Sequence, residues 1–142
     1  MSETGIQIRH TGGCRCSAVR FEASVEPHHI SYCHCADCRK ATGAPVSAFV
    51  AFMADAVTFS GQSPRTYSEG PVSRSFCATC GSPIAYVDAR IGDQIFFLLG
   101  AMDAPELYKP TLHAYVREQL PYLHMPDGLP RMLTTSVARP TE

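Results

Sequence analysis

The sequence predicts a mainly β protein, a sheet fold stabilised by metal, with little helix. Three observations predict it. Short runs rich in Val, Ile, Phe and Tyr recur between clusters of Gly, Pro, Asp and Ser. Only one stretch reads clearly as helix. Seven cysteines fall into three tight groups, a pattern of metal ligation and not of a disulfide framework.

Taken in order, the first element is "AVRFEAS". Val19, Phe21 and Ala23 fall on one face and Arg20 and Glu22 on the other, which predicts a half-buried strand. "HHISYC" predicts a second, running into a cysteine group. "ADCRKATG" predicts two turns of helix closed by Gly43, since glycine accepts the left-handed conformation that ends helices. "VSAFVAFM" is continuously apolar and predicts a strand buried on both faces. "AVTFSG", "RTYSE", "VSRSFC", "PIAYVD" and "QIFFLLG" predict five more short strands. "DAPELYK" predicts a short helix or turn, with Asp103 as N-cap and Pro105 in the first turn. The stretch "LPYLHMPDGLPRM" is punctuated by proline and predicts irregular chain. Many short strands with few helices argue for a β-rich architecture.

The 142 residues predict a single domain over 1–142, with its core over about 8–133 and about five loose residues at each end. Net charge is −1 and the isoelectric point about 6.6, so nothing draws a polyanion and no nucleic-acid partner is expected. No window approaches 18 consecutive apolar residues, so no membrane span is expected. "MSETGIQIRH" lacks the apolar core of a secretory signal, and a cytoplasmic protein is expected. An odd cysteine count in such a protein argues for metal or catalysis.

Cys77 and Cys80, in "FCATCGSP", form a C-x2-C knuckle followed by Gly81, which can supply the positive φ such turns need. Cys14 and Cys16, in "GGCRCSAV", supply two more sulfurs. Together the four make a closed thiolate site of the structural zinc type. Cys33, Cys35 and Cys38, in "YCHCADCRK", remain as a set of three, and three protein ligands with an open fourth position is how catalytic zinc is held. Two zinc ions per chain are therefore expected. Other ligand sets stay open. His28, His29 or His113 could complete the three-Cys set, His34 points away if the segment is extended, and one of the three cysteines could join the other four.

Arg39 and Arg74 are the candidate substrate-binding residues, because a guanidinium grips a carboxylate in two-point fashion; Lys40 reads more simply as a surface cation. His34 and His113 are candidate proton carriers, with a structural role the stronger reading. Ser47 and Ser75 read as strand residues, and Tyr67, Phe49 and Phe96 as core or pocket wall. No general acid or base is identified.

"GGCRCSAVRFEA", "CHCADCRKATGAP" and "SRSFCATCGSPI", followed by "GAMDAPELYKPTLHAYVREQLPYL" and "DGLPR", resemble the glutathione-dependent formaldehyde-activating family, or CENP-V/GFA domain. The likeness runs from about Gly12 to Arg131. It implies an Mss4-like fold, a structural zinc on Cys14, Cys16, Cys77 and Cys80, and a catalytic zinc on Cys33, Cys35 and Cys38. It also implies a carbon–sulfur lyase that joins a small thiol, glutathione, and an aldehyde, formaldehyde, into S-(hydroxymethyl)glutathione. Two aromatic positions often filled by Trp in similar chains are here Tyr115 and Tyr122, and the chain has no Trp. A non-enzymatic zinc-stabilised interaction module is the alternative, and a fourth protein ligand at the three-Cys set would favour it.

Overall fold

The protein is described here by a computed structural model covering residues 9–139. Its first strand, β1 (His10–Gly13), is one the sequence pattern does not announce, because "HTGG" carries no apolar alternation. It forms because every residue pairs antiparallel with β2 (Val19–Ala23). Gly12 is required there: a Cβ would lie 2.4 Å from the Phe21 ring and 2.5 Å from the Ala101 carbonyl.

The other strands form where the alternation places them: β3 (His29–Cys33), β4 (Ser47–Met53), β5 (Val57–Gly61), β6 (Arg65–Glu69), β7 (Val72–Phe76), β8 (Pro83–Asp88) and β9 (Gln94–Leu98). A two-residue strand, β10 (His113–Ala114), adds to β3 in parallel. The helix α1 (Ala36–Thr42) has two turns, and Gly43 ends it at φ 77°, its N–H on the Arg39 carbonyl. At "DAPELYK" the structure corrects the expected cap. A 3₁₀ turn spans Pro105–Leu107 with Ala104 as its N-cap, because the Asp103 carboxylate is taken by Arg20 and by the Thr11 hydroxyl. The stretch from Leu120 to Met132 is irregular, as expected.

Two sheets result, a three-stranded one ordered β1-β2-β5 and a seven-stranded one ordered β10-β3-β4-β9-β8-β7-β6. β4 lies between β3 and β9, which explains its continuous apolar run. Its side chains divide by parity. Val50 and Phe52 join Val19, Phe21, Ile84 and Phe97 in the core against the small sheet. Phe21 stacks on Phe97 with ring centres 3.7 Å apart, and burying each such ring contributes roughly 1.5–3 kcal/mol. Phe49 and Ala51 project to the opposite face, where they meet Phe96, Cys33 and Cys38.

Among the described residues no helix is long and apolar enough to cross a membrane. The expectation of loose ends falls mostly on positions outside the described residues, which begin at Arg9 and end at Arg139.

Candidate metal centre and cavity

Cys14 and Cys16 follow β1, and Cys77 to Cys80 form the turn between β7 and β8. The four sulfurs therefore come from both sheets, and they all lie within 4.8 Å of one another. Cys14 Sγ is 3.6 Å from Cys16 Sγ, which is 3.8 Å from Cys77 Sγ. Four sulfurs at the zinc distance of about 2.3 Å define a tetrahedron with edges of about 3.8 Å, so the donor set fits that ion. All seven cysteines are free thiols. Main-chain N–H groups already point at sulfur: Val19 donates to Cys14 Sγ at 3.3 Å, and Thr79 and Cys80 to Cys77 Sγ at 3.3 and 3.4 Å. The Ser82 hydroxyl, 3.1 Å from Cys80 Sγ, helps bring the Cys80 thiol down to about 5. Gly81 has φ 78°, the conformation anticipated for the knuckle, and its N–H reaches the Cys77 carbonyl at 2.8 Å.

Cys33 ends β3, Cys35 caps α1, and Cys38 lies on the helix's buried face. Cys33 Sγ and Cys38 Sγ are 3.7 Å apart, again a tetrahedron edge. This set is looser than the other. Among the described residues, the four-thiol group is the one whose ligand atoms all fall within 4.8 Å. Hydrogen bonds from Cys33 and Cys38 drive the Cys35 thiol well down, helped by the main-chain N–H groups of Cys38 and Asp37 and opposed by burial. The same contacts drive Cys33 far up. Three thiols this close oppose one another's ionisation, and a divalent cation is what would let all three ionise.

The three thiols open into a cavity of about 230 Å³. Sheet register builds its floor. Tyr67, Arg74, Tyr86, Phe96, Ala51 and His29 are successive cross-strand partners in one row across five pairings, and the middle of that row, Arg74, Tyr86 and Phe96, lines the cavity, whereas Tyr67 is exposed outside it. Phe49 and Phe96 make the apolar wall. Arg74 stacks over Tyr86 at 5.0 Å and bonds Asp37 at 2.8 Å and Cys38 Sγ at 3.6 Å.

Arg90 and Arg139 also line the cavity, and both bond Asp88, at 2.8 and 3.2 Å. Asp88 is fully buried, and those guanidiniums, Arg90 foremost, hold its carboxyl well below the usual range. Neither arginine nor Asp88 lies in a motif that signals a site. Tyr115 lines the cavity in the left-handed conformation, φ 57°, and burial, with the nearby Cys35 charge, pushes its phenol up.

The structure places the remaining candidates elsewhere. Arg39 donates to the carbonyls of His34 and Glu118, both at 2.6 Å, and does not line the cavity; it ties α1 to the later chain. His28 pairs with Gln94 and His29 with Ser136. His34 and His113 are fully buried and 2.8 Å apart, and His113 Nε2 is 2.8 Å from Asp127. With Asp127 accepting the Nε2 proton, His113 Nδ1 accepts from His34 Nε2–H, leaving a bare lone pair on His34 Nδ1. That atom has no hydrogen-bond partner among the described residues. Burial foremost, with the nearby Arg131 and Arg39 charges, lowers His34 to about 4. No sequence signal pairs residues 79 positions apart.

A model of the family described as glutathione-dependent formaldehyde-activating enzyme matches residues 9–118. Over 83 residues the chain is 29% identical to an uncharacterized lyase of Schizosaccharomyces pombe, a match covering 57% of this chain and 61% of that protein. The chain thus spans under two thirds of that relative's length. Among solved structures it resembles the crystal structure of a Rhodobacter sphaeroides protein, with a TM-score of 0.57 at 19% identity, covering 70% of this chain and 96% of that one. The likeness to that structure is one of fold.

Proposed function

The chain belongs to the glutathione-dependent formaldehyde-activating enzyme family, and on that premise we propose that it is a zinc-dependent carbon–sulfur lyase acting on a thiol–aldehyde adduct. The substrates are a small thiol such as glutathione and an aldehyde such as formaldehyde. In the forming direction the thiol sulfur bonds to the carbonyl carbon, the C=O π bond opens, and the thiol proton ends on oxygen. Two zinc ions are assigned. One is structural, on Cys14, Cys16, Cys77 and Cys80, and one is at the reaction site, on Cys33, Cys35 and Cys38.

Zinc at the second site would hold an incoming thiol as thiolate at neutral pH. The chain's own residues do the rest. Arg74, beside Cys38 and half-sunk against Tyr86, offers a guanidinium to a thiol's carboxylate. Phe49 and Phe96 keep the floor apolar and limit water. Tyr115, kept protonated by burial, supplies an O–H donor to the oxygen that develops from the aldehyde.

The observation that carries this reading is the difference between the thiol sets: the four close on themselves, whereas the three open into a cavity with three arginines. The test is elemental analysis beside a turnover assay. About two zinc ions per chain and glutathione-dependent loss of formaldehyde above the uncatalysed rate are expected. A two-zinc protein that leaves that rate unchanged would make the chain a zinc-stabilised binding module instead.

A further inference from the structure

The family match ends at residue 118, yet Thr135, Ser136, Val137 and Arg139 line the cavity. They run as a strap across the seven-stranded sheet. At one end the Ser136 hydroxyl sits 3.0 Å from His29 Nε2, at the start of β3. At the other, Arg139 reaches Asp88 at 3.2 Å and the Tyr86 hydroxyl at 3.3 Å, both on β8. β4 and β9 lie between those anchors. Val137 packs on the cluster of Cys33, Cys38, Phe49 and Phe96. Arg139 also turns back on its own segment, donating to the Thr135 hydroxyl at 2.7 Å and to the Val137 carbonyl. The Thr135 hydroxyl in turn donates to that same carbonyl at 2.7 Å.

We propose that this strap, latched by Arg139 on Asp88, selects the thiol by size: it admits thiols slender next to sulfur and excludes bulky ones from Cys33, Cys35 and Cys38. The volume beneath it, about 230 Å³, is below the roughly 300–1,000 Å³ of sites that enclose drug-sized ligands. The latch is releasable. If Arg139 lets go, Asp88 keeps Arg90, whose main-chain N–H and side chain both bond it, so no buried carboxylate is stranded. An entering carboxylate can therefore compete for Arg139 without unbalancing the cavity's charge. The strap's effect on turnover rests on the lyase reading; its effect on access to the thiols does not.

The test uses the full chain as purified. Iodoacetamide and a bulky aryl maleimide are compared by peptide-resolved mass spectrometry for their alkylation rates at Cys33, Cys35 and Cys38. Arg139→Ala removes the latch, and Val137→Ala thins the strap while leaving the latch intact. The maleimide rate relative to the iodoacetamide rate is expected to rise at least about tenfold in Arg139→Ala, the scale of steric discrimination in apolar pockets, and less in Val137→Ala. In turnover with formaldehyde, the same variants should lower KM for a bulky aryl thiol more than for glutathione. If the reagent ratio stays within about twofold of wild type in both variants, the strap does not select and the proposal fails. Should Arg139→Ala not fold, Val137→Ala decides alone. Absence of turnover with any thiol would sink the lyase reading, and the alkylation ratio would still judge the strap.

Discussion

The two thiol clusters are built by opposite means. Cys14, Cys16, Cys77 and Cys80 come from two turns more than 60 residues apart, one on each sheet, and each sulfur is supported by its own loop. Cys33, Cys35 and Cys38 come from a single six-residue stretch, where one strand ends and one helix begins. A metal on the first cluster would tie the small sheet to the large one. A metal on the second would close only a short loop, whose ordering adds little to what the strand and helix already fix. The difference teaches where a metal's binding free energy would go: into the fold at the first cluster, and into a site facing the cavity at the second.

The largest effect that can break this comparison is on folding. Cys77→Ser and Cys16→Ser should each leave the protein insoluble or with a collapsed melting temperature. The roughly 10–16 kcal/mol of a structural zinc is comparable with the whole stability of a domain. Cys35→Ser should instead abolish turnover and lose one zinc while moving the melting temperature by less than about 5 °C. If the two kinds of variant melt alike, both clusters are structural and the comparison is wrong. A chelator sharpens it further: with a zinc-responsive dye, one equivalent should leave before any loss of β circular dichroism, and the second only with it.

A smaller effect concerns the cavity wall. Arg74→Ala should weaken thiol binding by roughly 1.5–3 kcal/mol with the fold retained, as expected for a charged hydrogen bond, and Arg74→Lys should recover only part of it. Unchanged affinity in both would confine Arg74 to its contacts with Asp37, Cys38 and Tyr86.

The smallest effect is on pH dependence. The Asp88 carboxyl lies below its ordinary value because two arginines hold its ionised form. Its contribution to stability is then fully present above the unfolded value of about 3.9 and is lost as pH falls through and below it. Acid unfolding of wild type and Asp88→Asn should converge at low pH and diverge above about pH 4, with wild type the more stable. Parallel curves would show that Asp88 is not held by charge.

The strands that alternate or run apolar could be read directly, because burial on one or both faces leaves a period in the chain. Gly43 and Gly81 could be read because only one backbone conformation explains a glycine at those places. β1 could not, since a strand of His, Thr and two glycines exists by pairing alone, with β2 along its length and with Met102 at Gly12. Within the site, the three cysteine groups were legible because ligand spacing is local. The row from Tyr67 to His29 was not, because register is a property of pairs of strands. Arg39 shows the same limit: its place beside Cys38 in sequence points to the cavity, but helix geometry sends the guanidinium to two carbonyls. Arg139 lies in a stretch without periodicity, and nothing local signals that it crosses back over the sheet to Asp88.

The split origin of the four-thiol cluster also sets an order of events on the ribosome. Cys33, Cys35 and Cys38 emerge together, whereas Cys80 follows Cys14 by 66 positions. At about 5–20 residues per second, Cys14 and Cys16 wait roughly 3–13 seconds for their partners. Once Cys38 has emerged, the nascent chain presents five of the seven thiols, three of them within six residues. A metal could tie the two sheets only after Cys77 and Cys80 have emerged, so metal scarcity during synthesis would leave the sheets untied.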